Sequence, residues 1–121
     1  LHGSSAASDV YKRQFPESGK TVFANWLTLP PGEQRSVEVN YELPFDWRAW
    51  RNSEGNIIYT IYFQKQPGTI GATLEQRINF PSDWGVVGIE PKSLGSQVEG
   101  NTVIFNSDLR TDRVFGVLLK P

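Results

Sequence analysis

The chain has 121 residues and a formal net charge of -1, with 38% hydrophobic and 21% charged residues, a globular composition and a length that fits one domain around one core. Cysteine is absent and His2 is the only histidine, which excludes disulfides, thiol catalysis and thiolate metal sites. The charge balance supplies no cationic field for nucleic acid or an anionic membrane, and no apolar run approaches the roughly 20 residues that cross a bilayer as a helix.

The first segment, "LHGSSAASDVYKRQ", has neither the apolar centre of a secretory signal nor a sustained helical or strand period. Its part "SAASDVYKRQ" resembles a translated adaptor sequence of the kind that ends environmental reading frames. Residues 1–14 are therefore expected to be a disordered, non-native leader, and residues 15–121 a single domain. The chain opens on Leu1 rather than Met, which reads as a piece of a longer protein.

From Phe15 onward the pattern is strand, turn, strand. "KTVFANWLTL" (20–29) is rich in β-branched and aromatic residues and stops at Pro30-Pro31-Gly32-Glu33, a turn signal. "QRSVEVNYEL" alternates with a period of two, Val37, Val39, Tyr41 and Leu43 against Ser36, Glu38, Asn40 and Glu42, as a strand with one buried face requires. "NIIYTIYFQKQ" (56–66) is apolar on both sides, which predicts a central strand. "IGATLEQRINF" alternates again, with Ile70, Ala72, Leu74, Ile78 and Phe80 inward and Gln76 the one polar residue among them. "WGVVGIE" (84–90), a hairpin "SQVEGNTVIFN" with Glu99-Gly100-Asn101 at its tip, and "DRVFGVLL" (112–119) complete the chain. Trp26 and Trp84 fall on predicted strands and are read as core.

No window carries a helical stripe over three turns. Seven or eight short strands between Pro/Gly turns predict an all-β fold, an antiparallel β-sandwich of immunoglobulin-like architecture. A Greek-key barrel or jelly roll is the competing arrangement. The corner "QKQPGT" (64–69) has one glycine, its lysine precedes the turn, and a strand follows. A phosphate-binding loop needs Gly-rich spacing before a helix, so this is a hairpin corner.

"KTVFANWLTLPPGEQRSVEVNYELP", "YTIYFQKQPGT" and "NTVIFNSDLRTDRVFGVLL" together resemble the C-terminal β-domain of large bacterial surface proteins of a domain-of-unknown-function family, DUF family 4012, over most of residues 20–119. The resemblance implies no catalytic residues to carry over. It implies membrane anchoring through a segment far upstream, and hence an extracellular or cell-surface location. This chain departs from the pattern in its longer tryptophan-rich loop and in carrying no anchor of its own.

Two groups of residues offer chemistry. Asp108 and Asp112 flank "LRT" and supply oxygens of the kind calcium binds, but Arg110 and Arg113 sit among them and favour a β-turn with paired surface charges. A pair of glycosidase carboxylates does not stand out. "PFDWRAWRNSEGN" (44–56) places Trp47, Arg48, Trp50 and Arg51 between two strands. Exposed, the indoles form a stacking platform for a glycan or a protein hot spot, with the arginines adding charge-assisted contacts. Folded back, they cap the open end of the sandwich. The expectation is a non-catalytic structural or interaction module, with carbohydrate binding through Trp47 and Trp50 as the alternative. It needs no cofactor, its partner is an unknown protein or glycan, and it neither binds nucleic acid nor inserts in a membrane.

Overall fold

The computed structural model describes residues 2–6, 13–17, 20–24, 26–44, 46–68, 70–92 and 95–121, with 2–6, 13–17, 20 and 21 described by backbone alone. Among them are β1 (His2–Ala6), β2 (Arg13–Glu17), β3 (Lys20–Ala24), β4 (Glu38–Glu42), β5 (Ile57–Phe63), β6 (Thr73–Asn79), β7 (Gly85–Glu90), β8 (Gly95–Glu99), β9 (Thr102–Asp108) and β10 (Arg113–Lys120). The described residues contain no α-helix, only a 3-10 turn at Trp47–Trp50. A five-stranded sheet of order β4-β1-β6-β9-β8 faces a three-stranded sheet of order β5-β10-β7, and β2 and β3 form a separate hairpin. Every ladder is antiparallel. The protein is an all-β sandwich, as its alternating runs predict.

The core is where the alternation puts it. Leu74, Ile78, Val103 and Phe105 come from the larger sheet, and Ile57, Phe115, Val117 and Leu119 from the smaller one. Phe105 and Phe115 are fully buried and stack across the interface, with centroids 4.6 Å apart and planes 10° from parallel. This contact ties one sheet to the other through apolar burial and ring packing. Gln76 is also fully buried, yet its Nε2 donates to the Tyr41 hydroxyl at 3.4 Å and to the Arg77 carbonyl at 3.0 Å. The Tyr41 hydroxyl in turn lies 3.5 Å from that of Tyr59 in the opposite sheet. A short polar chain thus crosses the sandwich, and the buried amide is compensated.

Four expectations meet a different arrangement. β5 lies at the edge of its sheet, because β10, apolar on both faces, takes the middle. Its outer residues Ile58 and Tyr62 are 54% and 53% exposed. β6 begins only at Thr73, so Ile70 and Ala72 precede it and are exposed. β3 ends at Ala24, and Trp26 is 85% exposed rather than core. Lastly, residues 2–6 of the segment set aside as leader stand between β4 and β6, where backbone groups on both flanks demand a ladder partner. Residues 1 and 7–12 of that segment lie outside the described residues.

Candidate functional site

The tryptophan-rich loop lies at the end of the sandwich where β5 begins. Asp46 caps its 3-10 turn, its carboxylate accepting from the Arg48 N–H at 3.0 Å. The far side is closed by Asn52, whose side-chain oxygen accepts from the N–H groups of Glu54 at 3.0 Å and Asn56 at 2.9 Å. A bridge between Arg51 and Ile57 then leads into β5. The loop has a fixed shape because both of its ends are pinned by polar side chains.

Within it the two indoles part company. Trp47 is half-buried, packs on the core and meets Trp84 edge-on at 5.0 Å and 75°. The guanidinium carbons of Arg48 and Arg51 lie 5.1 and 4.7 Å from the centroid of the Trp47 ring, within cation–π reach. Trp47 therefore closes the sandwich, with Trp84 under it and both arginines against it. Trp50, at the last position of the turn, is 56% exposed. Of the four residues singled out from sequence, the structure brings Trp47, Arg48 and Arg51 together and presents Trp50 to solvent.

At the opposite end, the corner after β5 meets the turn before β10. Asp112 accepts from the Tyr62 hydroxyl at 2.7 Å and from the Lys65 N–H at 2.8 Å. These two donors, the hydroxyl foremost, hold its carboxyl below the usual range. Asp108 accepts from Arg113 at 2.6 Å and from the Arg110 N–H at 3.0 Å, and the Arg113 guanidinium foremost holds its carboxyl low as well. Arg113 also donates to the Asp108 carbonyl at 3.1 Å. Gly68, with φ of 81°, supplies the positive dihedral of the Pro67-Gly68 turn. The two aspartates are thus divided between two jobs, and a calcium ion at Asp108 would compete with Arg113. No cluster of three or more His, Cys, Asp or Glu side chains suited to a metal occurs among the described residues.

Sequence reading passed over the outer face of the smaller sheet. In register, Ile58 stands beside Leu118, Thr60 beside Gly116 and Tyr62 beside Val114. With Val87 from β7, this face exposes apolar and aromatic side chains, Val87 and Val114 being 53% and 49% exposed, interspersed with the exposed Thr60, Glu90 and Lys120. The two-sided apolar pattern of β5 carries the signal, since an edge strand with an apolar outer side shows the same pattern as a central one. A shallow depression lined by Val86, Val87, Gly88, Ile89, Lys92 and Ser96 lies near the edges of β7 and β8.

No protein-family model, no curated protein and no solved structure matches this chain.

Proposed function

We propose that the chain is a non-catalytic structural or interaction module that ends a larger bacterial cell-surface protein. The observation that carries the reading is the use made of the candidate reactive side chains. Asp112 engages both carboxylate oxygens, and Asp108 one of them, in fixing turns. Exposed apolar side chains, Ile58, Tyr62, Val87 and Val114, stand instead among polar ones on the outer face of the smaller sheet, a surface of the kind that meets another protein. The two motifs behind the family resemblance, the "QKQPGT" corner and the "DLRTDRVFGV" hairpin, are joined by the Lys65–Asp112 bond. That gives their shared occurrence a mechanical reason and supports the cell-surface reading only through the resemblance. The test is an activity screen on glycosides, esters and peptides, expected to show no turnover. A turnover abolished by one Asp or Glu substitution overturns the reading.

Carbohydrate binding is the second reading, favoured by the exposure of Trp50 on a loop of fixed shape. A glycan would stack on Trp50, since Trp47 is committed to Trp84 and the core. Tryptophan fluorescence against a polysaccharide panel tests it. A response lost in Trp50→Ala supports it, and silence across the panel removes it.

A further inference from the structure

The slot between β4 and β6 holds residues 2–5, which pair with both neighbours: Gly3 stands between Tyr41 and Ile78, and Ser5 between Val39 and Gln76. These rows continue into the core, since Ile78 pairs with Val103 and Gln76 with Phe105. A glycine and a serine are poor choices for the middle of such rows, where β-branched and apolar residues pack best. Val39 shows the effect, being 46% exposed although it belongs to the inward set of its strand.

A better occupant lies elsewhere in the chain. The turn Pro30–Glu33 is already closed, the Glu33 N–H donating to the Pro30 carbonyl at 3.2 Å, and Gly32 has the φ of 77° that the turn needs. Continuing an antiparallel hairpin outward from that turn sets Trp26 opposite Val37, Ala24 opposite Val39 and Val22 opposite Tyr41. Val39 and Tyr41 are the residues that now face Ser5 and Gly3. The direction is also right, because β1 runs antiparallel to β4, as the arm of a hairpin leading into β4 must. The exchange would put Val22 beside Ile78, Ala24 beside Gln76 and Trp26 beside Leu74. What β3 would give up is its ladder with β2, a two-stranded hairpin set apart from both sheets and of a kind that is marginal alone in water.

We propose that the slot between β4 and β6 is a strand-acceptor site whose occupant is the segment 21–24 of the same chain, entering as a hairpin arm through the Pro30–Glu33 turn and displacing residues 2–5. Trp26, now 85% exposed, is covered in that arrangement. Residues 2–5 supply the backbone partners of the slot without the side chains its rows call for.

The chain has no cysteine, so introduced pairs are its only thiols. Opposed residues in an antiparallel ladder lie within disulfide reach. In the full chain, Ala24→Cys with Val39→Cys is expected to close within one molecule under mild oxidation, and faster than Ser5→Cys with Val39→Cys. Closure of the second pair alone overturns the proposal. A covalent dimer from the first pair also overturns it, since a second copy would then fill the slot. A separate variant, Gly3→Pro with Ser5→Pro, removes two N–H groups from any ladder that residues 2–5 make. A thermal midpoint lowered by less than about 3 °C supports the exchange, and a larger drop shows that residues 2–5 are needed in the slot.

Discussion

The Lys65 N–H donates to the Asp112 carboxylate at 2.8 Å although 47 positions separate the two residues. The other oxygen of that carboxylate takes the Tyr62 hydroxyl at 2.7 Å, so one side chain fixes both the end of β5 and the corner that follows it. A turn-forming residue in the last hairpin thereby sets the path of a loop made much earlier in the chain.

Removing that anchor is expected to destabilise the protein in a pH-dependent way. The Asp112 carboxyl is held below its ordinary value of 3.8 in the folded state. Its contribution is therefore present above pH 3.8 and is lost as the pH falls through the lower folded value. Asp112→Asn should lower the thermal midpoint at neutral pH and should flatten its decline in acid. Thermal melts of both proteins from neutral pH into the acid range check this. Identical acid profiles would contradict it.

The stacked phenylalanines carry a larger share of stability. Truncating Phe105 or Phe115, both fully buried, leaves a cavity between two sheets that cannot close on it. Each change to alanine is expected to cost about 3–5 kcal/mol, read from urea unfolding. The double variant should lose less than the sum, because the two rings touch.

Alkaline titration reports on the polar chain through the core. Burial, followed by the hydrogen bond with Tyr41, pushes the Tyr59 hydroxyl well above its ordinary value of 10.0. The stability this represents is intact below pH 10 and is lost as the pH climbs toward the folded value, because the unfolded tyrosine ionises first. Ultraviolet absorbance should show a tyrosine that ionises well above the ordinary range. Tyr59→Phe should remove that step.

Trp47 and Trp50 should separate by stability. Trp47 packs on the core and on Trp84, so Trp47→Ala is expected to cost about 2 kcal/mol, discounted for its partial exposure. Trp50→Ala should stay within about 0.5 kcal/mol of the parent. Equal losses would mean that both indoles cap the sandwich.

The strands were readable wherever one face is wet. The alternation in "IGATLEQRINF" gave β6 with its inward Leu74, Ile78 and isolated polar Gln76, whereas within β4 only Tyr41 of the inward set is partly covered and Val39 is 46% exposed. Glycine at position 100 marked the tip between β8 and β9. Neighbour relations were harder, because periodicity describes a strand and its faces but not what lies beside it. Hence the two-sided apolar run of β5 predicts a central strand, whereas β5 is an edge strand whose outer apolar residues face solvent. Segment 2–6 carries no apolar pattern, so nothing in its residues announced a ladder. At the candidate site the spacing of Trp47 and Trp50 was visible, but their division depends on Trp84, which lies far along the chain. The Tyr62–Asp112 bond was hidden for the same reason.

The placing of β10 between β5 and β7 bears on how the protein is made. During translation both flanking strands emerge before the strip that joins them, so neither can close its ladder while the nascent chain is short. Until Phe115, Val117 and Leu119 leave the ribosome, the layer that covers the larger sheet lacks its middle strand. Completion of the smaller sheet therefore waits on the last strand, and its pairing with β5 is of the long-range kind that forms slowly.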